Sequence, residues 1–354
     1  MGRRQLEISL SGTLAERVVT SALRPKVGRT APPPAAFVTA SPGQQILGIL
    51  GRNNLWIALL VLVGVLAVVS DSFRNIANLQ NILMQNGIIG IVAIGMLVMM
   101  ISGGFDLSVG AVGSGVAVLT AYISTHAPLP VAILGGVLFG IAMGSVNGFI
   151  IARLGINSFI ATFALASIVT GVILVLTDGK SVVGRSPKLQ QFTFGSAFGI
   201  PLLFITFVVF AILAHLVLTR TKWGHWIYSA GANSQASYLS GVPVTVVKFA
   251  AFTFGGLAVG LGGVLLFGQS AIGQPTGAAA WPLSAIAICV IGGTSLSGGV
   301  GRVGSVIAAV LLLGLVSNGL NQLGISPYWQ PAVTGAIILV AVLADQLGRR
   351  RRRS

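Results

Sequence analysis

Residues 84–125 read MQNGIIGIVAIGMLVMMISGGFDLSVGAVGSGVAVLTAYIST. Two apolar runs, 84–102 and 107–125, meet at a polar turn that holds one carboxylate, Asp106. Each run is close to the roughly 20 residues that a helix needs to cross about 30 Å of hydrocarbon. A helix satisfies its own backbone donors and acceptors, which a bilayer interior demands. The pattern continues in both directions. Ten apolar stretches are read, at 55–70, 84–102, 107–125, 129–151, 157–177, 200–219, 246–269, 281–295, 303–321 and 329–346. The expectation is an all-α integral membrane protein, a polytopic bundle of about ten transmembrane helices. The eighth stretch is short for a full span and suits a broken or re-entrant helix.

Composition supports this class. Of 354 residues, 54% are hydrophobic and 8% charged, against about 25% charged in a soluble domain. A soluble chain of this length has too little charge here to cover its surface. The net charge of +15 does not indicate nucleic-acid binding, because the basic residues sit at the termini and between apolar runs. That distribution follows the positive-inside rule. The single cysteine, Cys289, excludes an internal disulfide and a cysteine-rich metal site.

The chain divides into three parts. Residues 1–50 form a basic, Pro-containing tail without the apolar core of a signal peptide, expected to be disordered and cytoplasmic. Residues 51–348 form the membrane domain, with its longest inner loop at 220–245, and 349–354 form an Arg-rich cytoplasmic tail. With both termini inside, 17 Lys and Arg residues fall on the cytoplasmic side and 4 outside. Loop 178–199 runs against the trend, placed outside by span parity although it holds Lys180, Arg185 and Lys188.

Two local patterns stand out. Gly136, Gly140, Gly144 and Gly148 lay a stripe along one helix face, which suits close helix packing. Residues 103–110 and 292–299 match at five of eight positions, as internal repeats in transporters do.

Asp106 carries the largest chemical weight, since an acid at membrane depth usually faces a partner or a cavity. It either lines a path or caps the third span, whose first turn would donate to its carboxylate. A proton relay needs several intramembrane acids or histidines. The residues His126 and His225 fall in loops, and His215 lies near a span end. The other polar candidates for a path, or for hydrogen bonds between helices, are Ser108, Asn147, Asn157 and Gln274, with Asn86, Thr162 and Gln269 beside them. No enzymatic set emerges. Gly179-Lys180-Ser181 resembles the end of a phosphate-binding loop, but Leu174 stands where that motif requires glycine. No metal site and no cofactor on this chain are expected.

In the inner loop, Gly231-Ala232-Asn233-Ser234-Gln235-Ala236-Ser237-Tyr238-Leu239-Ser240-Gly241 reads as a short helix. Asn233 is its N-cap and glycine flanks both ends. At this point the chain resembles the ribose- and monosaccharide-type permease family of bacterial ATP-binding-cassette (ABC) importers, over residues 50–348. The resemblance rests on 103–112, 152–160, 230–233, 239–244 and the run from 290–296 to 301–304. It implies a type II importer fold, similar to the cobalamin importer, in a bacterial inner membrane.

The implied partners are a second permease copy or homologue, a cytoplasmic ABC ATPase that holds ATP and Mg, and a periplasmic or lipid-anchored sugar-binding protein. Lipid surrounds the bundle and nucleic acid is no partner. Carried onto this chain, Asn233 to Gly241 becomes the coupling helix, with Gly231, Ala232, Asn233, Gln235, Ala236 and Gly241 as its contact set. Relatives often carry glutamate where Gln235 stands, and an acidic Glu-Leu-Asp stretch where this chain has Pro282-Leu283-Ser284. A rival reading without the resemblance is a secondary transporter driven by an ion gradient, against which the shortage of intramembrane acids argues. A membrane-embedded enzyme would need a convergent acid, base or metal set.

Overall fold

The computed structural model describes residues 54–326, with isolated positions beyond them up to residue 339. The tail 1–50, the tenth stretch 329–346 and the Arg-rich tail 349–354 lie essentially outside the described residues. The helices are α1 (Asn54–Val69), α2 (Ile76–Ile101), α3 (Val109–His126), α4 (Leu129–Ala152) and α5 (Ser158–Thr177). They continue as α6 (Pro187–Thr193), α7 (Leu202–Arg220), α8 (Lys222–Ala232), α9 (Ser234–Leu239), α10 (Val244–Ser270), α11 (Trp281–Ile291) and α12 (Val303–Gln322). Four two-residue strands, β1 (Val182–Val183), β2 (Ser196–Ala197), β3 (Ile200–Pro201) and β4 (Ile272–Gly273), pair antiparallel as β1–β4 and β2–β3.

Among the described residues, seven helices are long and apolar enough to cross a membrane: α2, α3, α4, α5, α7, α10 and α12. The expected count of ten is not confirmed among the described residues, since the tenth stretch lies outside them and two others form shorter helices. The first stretch is a helix of 16 residues and the eighth one of 11. Eleven residues rise only about 16 Å, half the hydrocarbon thickness.

The second stretch runs the other way, starting at Ile76 rather than near 84. Asn75 caps it, accepting from the N–H of Ala77 at 2.9 Å. The next polar residue, Asn78, is satisfied across the bundle, exchanging amide hydrogen bonds with Asn318 of α12 and accepting from Gln322 at 3.1 Å. Its low hydropathy therefore marks a helix contact, not a loop.

Helix α2 lies at the centre, with Ile91, Ile94, Met96, Leu97, Met99 and Ile101 fully buried. Helices α7, α10, α11 and α12 pack around it. The glycine stripe of α4 meets Gly256 and Gly260 of α10. A methyl on Gly140 would fall 2.6 Å from the carbonyl oxygen of Gly256, and one on Gly144 would fall 2.6 Å from the Gly256 Cα. Backbone meets backbone here, so any side chain on the stripe would force the two helices apart.

The short α11 ends a segment that packs along α3. Ala271 takes the left-handed conformation (φ 54°) that ends α10, and the β4 pairing with β1 follows. The chain then descends along α3. Gly273 lies against Val118, the N–H of Ala278 donates to Ser114 Oγ at 3.0 Å, and Gly113 lies against Trp281. Gly273, Pro275 and Ala278 of this non-helical segment are buried against the bundle, whereas Gln274, Thr276 and Gly277 between them are exposed.

Candidate functional site

The turns 102–108, 221–243 and 292–302 gather at one end of the bundle. Thr221 opens α8, accepting from the N–H of Gly224 at 3.4 Å. Asn233, extended at φ −158°, closes α8 and opens α9. Its Oδ1 accepts from the N–H of Ala236 at 2.9 Å. At the far end the N–H of Val242 bonds Ser237 O and that of Gly241 bonds Tyr238 O, both at 3.0 Å. Those two bonds with Gly241 at φ 84° make a Schellman closure, which satisfies the last carbonyls of α9. Both ends of a six-residue helix are thus fixed by side chain and glycine, although propensity alone would not hold it.

Helix α9 faces outward. Only Ser237 is buried in it, while Gln235, Ala236, Tyr238 and Leu239 are exposed, Leu239 at 77%. Behind it, α8 is wedged into the bundle. A methyl on Gly231 would overlap the carbonyl oxygen of Ile101 and lie 2.7 Å from the N–H nitrogen of Gly299. That N–H donates to Ile101 O at 2.9 Å. A methyl on Gly298 would meet the Gly231 oxygen and the Gly103 Cα, each at 2.8 Å. Tyr228 Oη donates to Gly301 O at 2.8 Å. Burial raises the pKa of the Tyr228 phenol, partly offset by Arg302. The turn α2–α3, the turn α11–α12 and the end of α8 therefore meet backbone to backbone.

The two repeated stretches share more than letters. Each follows a helix closed by a left-handed glycine, Gly103 and Gly293. In the first, Asp106 Oδ1 accepts from Ser108 N at 2.7 Å and from Ser108 Oγ at 2.6 Å. In the second, Ser295 Oγ accepts from Ser297 N at 3.3 Å and shares a 2.8 Å hydrogen bond with Ser297 Oγ.

Three of the predicted polar candidates come together. Asn147 Nδ2 donates to Asp106 Oδ2 at 3.1 Å and to Ser108 Oγ at 2.9 Å, and all three residues are buried. Thr162 of α5 adds an acceptor for the N–H of Leu107 at 3.0 Å. Asp106 bonds Ser108, the residue before α3, rather than the N–H groups of the first turn of α3. Its carboxylate oxygens are thus engaged by protein donors. The other two candidates lie apart. Asn157 caps α5, accepting from the N–H of Phe159 at 2.9 Å, and Gln274 is exposed in the segment before α11. Gly231, named in the sequence only for contact with the ATPase, packs inward against Ile101 and Gly299, and Tyr228 was not singled out there.

Comparison with known proteins follows the same outline. A family described as the branched-chain amino acid transport system / permease component matches residues 78–342. The chain is 37% identical over 302 residues to the ribose import permease protein RbsC of Bacillus subtilis, covering 84% of this chain and 94% of that one. It is 33% identical over 339 residues to the L-arabinose ABC transporter permease protein AraH of Azospirillum brasilense, covering 95% and 99%. To RbsC of Escherichia coli K12 it is 36% identical over 295 residues, covering 82% and 92%. No solved structure matches the chain.

Proposed function

This chain belongs to the permease-component family of transport systems, and from that premise we propose that it is the membrane-spanning subunit of an ABC importer for a monosaccharide. The relatives named for ribose and arabinose support the substrate class. A partner ATPase hydrolyses ATP with Mg at the end of the bundle that carries α8 and α9, which is the cytoplasmic end. A binding protein delivers the sugar at the other end, and a second permease copy or homologue completes the path. The membrane is the bacterial inner membrane, with both termini inside.

One observation carries the mechanism: a short, doubly capped helix stands exposed on a second helix that is wedged among the turns of the bundle. Such an element moves as a rigid body. The exposed Tyr238 and Leu239 offer apolar area to a cleft in the ATPase. Gln235 supplies a neutral hydrogen bond there, weaker than the charged contact of relatives that carry glutamate. Closure of the ATPase pair displaces α9 and α8, and the wedge at Gly231 passes that displacement to α2–α3 and α11–α12. Access then alternates between the two faces without any covalent intermediate.

The test uses vesicles containing the permease with its cognate ATPase and binding protein. Asn233→Ala removes the shared cap, at a local cost of about 1 kcal/mol. The expected result is continued ATP hydrolysis with less sugar moved per ATP, the membrane fold staying intact. Unchanged coupling would refute the placing of the docking helix. Uptake driven by an ion gradient without the ATPase would overturn the transport class itself.

A further inference from the structure

The glycine contact between α4 and α10 ends at Gly148. Beyond it the two helices frame a crevice of about 190 Å³ at the end of the bundle that carries α8 and α9. Its wall is built from Gly148, Phe149 and Ala152 of α4 and from Thr245, Val246 and Phe249 of α10, with Arg153 beside them; the surface it presents is carbon. An apolar crevice of this kind gives water too few partners to hold it. Arg153 is exposed and has no counter-ion among the described residues, where the sole ion pair joins Arg74 to Asp71. The apolar side chains that follow it, Leu154 at 58% and Ile156 at 40%, are also exposed. A turn that presents arginine together with leucine and isoleucine suits the boundary between headgroups and acyl chains, where a long cation reaches outward from an apolar stem.

We propose that this crevice is a binding site for one anionic phospholipid of the adjacent leaflet, its acyl chain between α4 and α10 and its phosphate on Arg153. The carbon wall selects a chain over a soluble anion. The guanidinium matches a phosphate with paired N–H donors and is not neutralised by a residue of its own chain. The site lies on the α4–α10 pair, whose glycine contact forms the most extensive helix interface of the bundle.

Native mass spectrometry of the purified permease tests this with an equimolar mixture of dioleoyl phosphatidylglycerol, dioleoyl phosphatidylcholine and dioleoylglycerol. The wild type should retain the phosphatidylglycerol about fivefold over the phosphatidylcholine, which is what roughly 1 kcal/mol of interfacial attraction per arginine gives. Arg153→Gln changes an exposed residue. It should bring the two phospholipids to parity while some chain binding persists. Ala152→Phe fills the crevice and should lower retention of all three lipids, with thermal melting showing that the variant is folded. Equal retention of the two phospholipids by the wild type, or an unchanged preference in Arg153→Gln, would overturn the proposal. So would efficient bis-maleimide cross-linking of Ala152→Cys between two permease copies, which would place a second chain in the crevice. Cys289 is fully buried and leaves that reaction to the introduced thiol.

Discussion

Replacing Gly231 with alanine adds one methyl group inside a helix, a change that ordinarily stabilises by about 1 kcal/mol. Here the structure reverses the sign. The methyl overlaps the carbonyl oxygen of Ile101 and crowds the nitrogen of Gly299, and those two atoms are hydrogen-bonded to each other at 2.9 Å. Both partners are backbone atoms, so no rotamer change relieves the contact. Overpacking of this kind costs about 1–3 kcal/mol, and stretching the bond between Gly299 and Ile101 adds about 1 kcal/mol. After the helical gain is subtracted, a net loss of about 1–3 kcal/mol remains. The displacement also lifts α8 off both turns, so coupling should fall further than stability. The assay is sugar uptake per ATP hydrolysed in vesicles holding permease, ATPase and binding protein, alongside thermal melting of the purified permease. Gly155→Ala is the control: nothing lies within 4 Å of its added methyl, and its strain from φ 72° is local to the turn after α4. If Gly231→Ala melts and couples like the wild type, the wedge is not a rigid link and the reasoning fails.

Four further outcomes follow from named contacts. Asp106→Asn should lower the melting temperature, because the new amide turns a donor toward the donating Nδ2 of Asn147 and the charge-assisted bonds weaken at about 1–3 kcal/mol. Uptake per folded molecule should persist, whereas full folding with uptake abolished would make Asp106 a path residue. Tyr228→Phe removes the 2.8 Å bond to Gly301 and leaves that carbonyl unpaired, so a loss of about 1–3 kcal/mol in unfolding free energy is expected, with reduced coupling. The raised pKa of Tyr228 makes its stabilisation complete below the ordinary tyrosine range and lost as pH climbs through the raised value; an alkaline melting curve should lose that limb in Tyr228→Phe. Gly144→Leu should prevent assembly of the bundle, since its side chain meets the backbone of Gly256 and Phe252; a folded, active Gly144→Leu protein would show that α4 and α10 separate freely.

The membrane class and most helix positions were legible because a bilayer writes its thickness into the length of apolar runs. The start of α2 was not, since Asn78 and Gln80 depress hydropathy; Asn78 satisfies its amide on α12, and Gln80 donates to Gly199 O. Helix α8 was hidden inside an apparent loop because Lys222, Gly224 and His225 break its apolar pattern, while its burial rests on Gly224, Ile227 and Ala230. Asn233 and Gly241 were readable as end signals because capping is chemistry within a few residues. Gly231 could be assigned to the docking loop, but its inward packing was not readable. A glycine kept for close approach differs from any other glycine only by its neighbours, and Ile101 and Gly299 stand far away in the chain.

Those neighbours explain why the repeated stretches matter. The same two-residue hydrogen-bond pattern ends at Ser108 in one turn and at Ser297 in the other, and both turns touch α8. The environments differ. The Asp106 turn is anchored to α4 through Asn147 and to α5 through Thr162. The Ser295 turn replaces the carboxylate with a hydroxyl, and each turn keeps one buried oxygen without a partner among the described residues, Thr294 Oγ1 here and Asn147 Oδ1 beside Asp106. On the proposed coupling, a displacement entering at Gly231 is expected to shift the Ser295 turn more than the Asp106 turn, which side chains tie to α4 and α5. The Ser295 turn leads back into α11, the 11-residue helix that follows non-helical chain. The expected moving part is therefore α11 with the segment before it, and the expected frame is α2 to α5.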